Sequence, residues 1–127
     1  MAKVQVAVVW INAAVFLLYG IGFVLFPESL SAFVTGNVPG GSSALIDLRA
    51  TYGGMSIGLG ILLVLLALNP AWVRAGLLGV LVIMLGMASA RLYGIAVDGT
   101  PNRIMLVYLA AEVAMVCVAF WALKSSK

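Results

Sequence analysis

Four apolar runs, each long enough to cross a lipid bilayer, constrain this chain more than any motif in it. They cover approximately residues 4–26, 43–68, 71–97 and 103–123. A helix rises about 1.5 Å per residue, so some 20 residues cross a hydrocarbon core of about 30 Å. Each run suffices for one crossing, the second and third with some tilt. The boundaries are chemical. Pro27-Glu28 stops the first run, Asn69-Pro70 the second, and Asp98-Gly99-Thr100-Pro101 the third; Lys124 ends the fourth. Residues before proline are pushed out of helical geometry, Gly99 suits the left-handed conformation of a cap, and Asn102 suits the N-cap of the last helix. Backbone groups find no partner in lipid, which leaves helices as the spans. The expected fold is all-α: one polytopic four-transmembrane-helix bundle over residues 1–127.

A soluble chain of 127 residues with 65% hydrophobic and 9% charged side chains could not cover that apolar surface with a single core. The first run is too long for a signal peptide and has no small-residue cleavage site; it reads as a membrane span. A dispersed net charge of +3 fits bases snorkelling to headgroups and speaks against a nucleic-acid partner. The single cysteine, Cys117, allows no internal disulfide, iron–sulfur cluster or CxxC exchange. With no histidine, bis-histidine haem, histidine-ligated zinc and histidine-based acid–base catalysis are excluded. There is no phosphate loop, dinucleotide fingerprint or Ser-His-Asp arrangement. No cofactor and no metal are expected. A catalytic site could be assembled from Glu112, Asp47 and a tyrosine, but nothing in their spacing requires one, and a non-enzymatic role is the expectation.

The connection over residues 27–42, PESLSAFVTGNVPGGS, places Leu30, Phe33 and Val34 at helical spacing before Thr-Gly-Asn and Pro-Gly-Gly. It reads as a short amphipathic helix in the membrane interface followed by a turn. Four spans put both termini on one side. That side carries Lys3, Arg74, Lys124 and Lys127, against Arg103 on the other. The positive-inside rule then sets the termini in the cytoplasm of a bacterial inner membrane.

Charges inside apolar runs cost about 2.5–3.5 kcal/mol each at a helix centre, so they persist when paired, hydrated or functional. On the expected topology they share the outer half of the bilayer. Asp47 lies near the mouth of the second span and Arg49 about two residues deeper, with Tyr52 and Gly53 on its face. Arg91 and Tyr93 occupy the last turns of the third span, and Asp98 lies seven residues beyond Arg91. Glu112 sits about 14 Å into the fourth, with Tyr108 one turn above it. Tyr19 falls in the outer half of the first. Two readings stand. In one, Arg49 pairs with Glu112 or Asp47 and Arg91 with Asp98, a closed network that fixes helix register. In the other, an arginine faces a cavity and meets a carboxylate, phosphate or lipid headgroup, for which the guanidinium fork is suited. The energetic argument expects Arg49, Arg91 and Glu112 in one connected cluster.

Gly54 and Gly58 stand at small-xxx-small spacing, Ser56 and Gly60 repeat it, and Gly76, Gly79 and Gly86 thin the third span. Packing within the chain is the preferred use over a homo-oligomer interface. Met84, Met87, Met105 and Met115 read as adaptable filling. Trp10, Trp72 and Trp121 read as a belt toward the terminal side, and Asn12 as one side of an interhelical hydrogen bond.

The segment Asp47-Leu48-Arg49-Ala50-Thr51-Tyr52-Gly53-Gly54, followed by Gly58-Leu59-Gly60, then Ala90-Arg91-Leu92-Tyr93-Gly94 with Val97-Asp98-Gly99, then Ala111-Glu112, resembles the bacterial membrane family catalogued as domain of unknown function 4345. The resemblance covers all four spans and implies a small four-helix inner-membrane protein without implying an activity. A looser similarity is to DoxX-like four-helix proteins. The expectation is an accessory or binding subunit that recognises a membrane lipid or acidic amphiphile, or another membrane protein. The alternatives are proton-coupled transport through Glu112 and a purely structural subunit. Transport would need Glu112 free of a permanent arginine partner.

Overall fold

A computed structural model describes residues 2–125; Lys127, counted above among the terminal-side bases, lies outside them. The elements run α1 (Ala2–Leu25), α2 (Pro27–Thr35), α3 (Ser42–Leu48), a π-helical segment (Arg49–Gly54), α4 (Met55–Leu68), α5 (Val73–Asp98) and α6 (Arg103–Lys124), with no strand among the described residues. The π segment joins α3 and α4 into one span. Lys3–Leu25, Ser42–Leu68, Val73–Asp98 and Arg103–Lys124 are the helices long and apolar enough to cross a membrane, with mean hydropathy between 1.9 and 2.2. The protein is an all-α, multi-pass membrane protein.

The helix ends follow the local chemistry. Phe26, the residue before proline, leaves helical geometry at φ −129°, ψ 54°, and Pro27 opens α2 at its first position, where a missing N–H costs nothing. Gly36 closes α2 at φ 80° and donates its N–H to the Ala32 carbonyl at 2.9 Å. Asn102 caps α6 as expected: its side chain accepts from the Met105 N–H at 2.8 Å. Gly99 takes φ 105° with ψ −152°, a conformation open to glycine but extended rather than the left-handed helical cap expected. The third span begins at Val73 rather than 71. Asn69 accounts for the difference, its side chain accepting from the Ala71 N–H at 3.0 Å and its carbonyl from the Trp72 N–H at 2.9 Å, which holds both residues in a turn.

The chain divides into two compact units, Trp10–Leu65 and Met1–Val9 with Leu66–Lys127. In the first, α1 and the second span approach through glycine. A Cβ on Gly20 would stand 2.7 Å from the Gly53 carbonyl oxygen, and one on Gly60 2.6 Å from Leu17. The small residues at closest approach are therefore Gly20, Gly53 and Gly60. Gly54 and Gly58, expected there from their spacing, are exposed; nothing lies within 4 Å of a Cβ on Gly58. Gly53 and Gly60 stand seven residues apart, on one face of the span, which Gly54 and Gly58 do not share. In α2, Pro27, Ser31 and Val34 are buried and Leu30 meets Gly22, while Phe33 is 62% exposed. The short helix after the first span is present, and beside Val34 its buried side includes Ser31, whose hydroxyl donates to the Asn37 carbonyl at 2.9 Å.

In the second unit, Val73, Gly76, Leu77, Val80, Met84 and Ala88 form the buried stripe of α5 at three- and four-residue spacing. Against α5 packs α6, which buries Glu112, Ala119 and Ala122, and Gln5 donates to the Ala122 carbonyl at 2.8 Å. The remaining faces of α6 expose Leu106, Val107, Val113, Val118 and Phe120, as a helix bordered by lipid does. Trp10, Trp72 and Trp121 are also exposed. Asn12 is buried, and no buried side-chain polar atom among the described residues lacks a hydrogen-bond partner.

Candidate functional site

Residues 105, 108 and 112 fall at i, i+3 and i+7, along one face of α6. All three meet Arg91 of α5. The guanidinium grips the Glu112 carboxylate at both ends, Nε donating to Oε2 at 3.0 Å and Nη2 to Oε1 at 2.6 Å. Nη1 reaches the Met105 sulfur, and the Tyr108 ring lies 5.3 Å from the guanidinium carbon, within cation–π range. Glu112 is 5% exposed as a residue. A planar fork on a carboxylate is the strongest arrangement open to this pair. The pairing differs from the alternatives posed from the sequence, Arg91 with Asp98 and Arg49 with Glu112. Asp98 is exposed, its Oδ2 3.6 Å from where a Gly94 Cβ would be, so the carboxylate lies back along its own helix.

Arg49, in the other unit, has a different environment. It is exposed, and its Nη1 donates to the Val24 carbonyl in the last turn of α1. That carbonyl is among the four that a helix leaves without an internal partner, and a cation there also meets the negative end of the helix dipole. No ion pair joins Arg49 to Asp47 or Glu28; among the described residues the ion pair is Arg91–Glu112. Arg49 instead lines an open cavity of about 280 Å³ with Leu25, Phe26, Pro27, Glu28 and Ser29. These are the α1–α2 junction and the first turn of α2.

The backbone that carries Arg49 is unusual. The Met55 N–H bonds to the Ala50 carbonyl, five residues back, and Thr51 donates its hydroxyl to the Asp47 carbonyl at 2.7 Å. Hydroxyl back-bonding of this kind loosens and bends helices, and Gly53-Gly54 lowers the local helix preference. Short π segments of this kind occur frequently at functional sites.

The aromatic candidates divide in the same way. Tyr19 and Tyr52 flank Phe23, with ring centroids 4.8 and 5.2 Å from it, beside the α1 approach to Gly53. Tyr108 covers Arg91, whereas Tyr93 is 69% exposed and Asp47 is exposed without an ion pair. Arg91, Glu112 and Tyr108 are therefore brought together in one unit. Arg49 stands with the α1–α2 junction in the other.

A family model, Domain of unknown function (DUF4345), matches residues 4–123. The chain belongs to this family. Its match spans all four membrane helices, so both arginines and Glu112 lie inside the DUF4345 region. Neither the curated proteins nor the solved structures contain a match, and the looser likeness to DoxX-like proteins gains no support from them.

The structure adds two participants to the expected site residues. Met105 is more than filling: its i, i+7 relation to Glu112 places it on the same face, against Arg91. The first turn of α2, with Glu28 and Ser29, stands beside Arg49 through the break in the helix at Phe26, which no spacing encodes.

Proposed function

We propose that this DUF4345 protein is a non-catalytic membrane binding protein, an accessory subunit whose Arg49 cavity takes an acidic group, such as a phosphate, in the headgroup of a membrane amphiphile. The observation that carries the reading is the contrast between the two arginines. Arg91 is committed to Glu112, so its charge is answered within the protein. Arg49 is exposed, holds a carbonyl rather than a carboxylate, and lines an open cavity. Leu25 and Phe26 line the same cavity and are 58% and 63% exposed, which gives an acyl chain an apolar surface next to the charge. In the first turn of α2, Pro27 has no N–H and the Glu28 and Ser29 N–H groups have no acceptor inside the helix, adding donors for an oxyanion.

The positive-inside bias assigns the termini to the cytoplasm of a bacterial inner membrane and this cavity to the outer leaflet. Cysteine at Asn37 or Thr100, in a Cys117→Ala background, should then react with an impermeant thiol reagent from the periplasmic side; labelling only from the cytoplasm reverses the assignment. Proton-coupled transport through Glu112 is the weaker reading, because a carrier carboxylate would have to leave a two-bond arginine clasp in each cycle.

Lipid retention tests the binding reading. After purification in mild detergent, extracted lipid per protein, measured by mass spectrometry, should fall severalfold in Arg49→Gln and recover partly in Arg49→Lys, which restores charge without the fork. Equal retention in wild type and Arg49→Gln refutes it.

A further inference from the structure

We infer that the ligand of the Arg49 cavity is a zwitterion, carrying a phosphate and a primary ammonium in one headgroup. This rests on the binding reading above and adds the second charge. Glu28 lines the same cavity as Arg49 and forms no ion pair with it. The walls therefore hold one cation and one anion that do not answer each other. A purely anionic headgroup drawn to Arg49 would bring its charge close to the Glu28 carboxylate, and a purely cationic one would meet the guanidinium. A ligand with both charges leaves neither residue opposed, with the phosphate at Arg49 and the α2 N–H groups and the ammonium at Glu28.

The size of the site agrees with this. A volume of about 280 Å³ admits a small polar headgroup, and its lining includes exposed Leu25 and Phe26. Those two residues favour a chain-bearing aminophospholipid over a free phosphoamine. Glu28 is exposed and sits at the second position of α2, where an acid also complements the helix dipole, so it has a bland role too. The test must separate that role from recognition.

Native mass spectrometry on delipidated full-length protein does so. The protein is released from micelles doped with equal phosphatidylethanolamine and phosphatidylglycerol, with and without soluble O-phosphoethanolamine. Wild type should favour phosphatidylethanolamine by about tenfold, the ratio set by one added charged contact of about 1.4 kcal/mol. Glu28→Gln should reduce that preference to near unity while retaining phosphatidylglycerol, and Arg49→Gln should lose both lipids. Helicity and melting temperature of Glu28→Gln, unchanged from wild type, exclude a role confined to the helix dipole.

Loss of binding in Arg49→Gln with no change of preference in Glu28→Gln overturns the zwitterion inference and leaves the anion-binding reading standing. Full binding in Arg49→Gln overturns both. Displacement of the aminolipid by soluble phosphoethanolamine supports the zwitterion and places recognition in the headgroup alone. Persistence of the aminolipid supports it with the chain included. A wild-type preference for phosphatidylglycerol overturns it.

Discussion

Replacing Glu112 by leucine should expose how much of the second unit depends on the Arg91 clasp. The substitution removes both charge-assisted bonds, at 2.6 and 3.0 Å, and leaves the guanidinium with the Met105 sulfur and the Tyr108 ring. Removing one partner of a buried pair costs about 3–5 kcal/mol, chiefly because the other charge is left unanswered. The Arg91 side chain is 18% exposed against 6% for Glu112, so partial hydration puts the expected cost near the lower end, about 3 kcal/mol. Replacing both residues, Arg91→Met with Glu112→Leu, removes the stranded charge, and apolar replacement of a buried pair is often neutral or stabilising. The double variant should therefore recover most of the loss, with a coupling energy of at least about 2 kcal/mol, above the few tenths seen between independent sites. Reversible unfolding in mixed micelles, followed by helicity across all four variants of the cycle, measures it. A double variant as unstable as the sum of the two single changes would refute the claim that the pair is a self-contained, charge-satisfying contact.

Other outcomes follow from the packing. Gly53→Ala should destabilise the first unit by about 1–3 kcal/mol, the range for overpacking, because its Cβ would lie 2.6 Å from the Val24 side chain; Gly58→Ala, with open space around it, should not, and equal melting temperatures for the two would contradict the close approach. Asn102→Ala should cost about 1 kcal/mol through loss of the α6 cap, whereas Asn102→Ser should retain most of it. Hydrogen exchange at the start of α6 reads the loss directly, and unchanged protection there in the alanine variant would argue against the cap.

Much of the fold is legible in the chain because hydropathy and helix punctuation act locally. Pro27, Gly36 and Asn102 each end or begin a helix for reasons contained in a few neighbouring residues. The failures have a common physical source. Around lipid an apolar residue need not be buried, so the Leu30-Phe33-Val34 pattern marks α2 as amphipathic without dividing protein-facing from outward residues: Val34 is buried and Phe33 is exposed. Gly54-xxx-Gly58 promised close packing that Gly53 and Gly60 supply instead, because small-residue spacing recurs on more than one face of this span and does not say which face meets α1. At the site, the charged residues announced themselves by their cost in lipid, but their partners did not. The pairing expected for Arg91 was Asp98, with Glu112 left to Arg49; that Arg91 takes Glu112 rests on how α5 and α6 pack, a relation between segments that no single-helix periodicity contains. That Arg49 bonds to Val24 and lines the cavity with the first turn of α2 likewise depends on the turn at Phe26.

The central claim is that Arg49, rather than Arg91, meets the ligand. Solid-state NMR of arginine-labelled protein in bilayers that contain phosphatidylethanolamine tests it most directly, through dipolar dephasing of guanidinium nitrogen by lipid phosphorus. The account predicts that, beyond the contribution of Arg74 and Arg103 at the headgroups, one strongly dephased guanidinium component disappears in Arg49→Gln and persists in Arg91→Met. A component that survives Arg49→Gln and vanishes with Arg91→Met would contradict it.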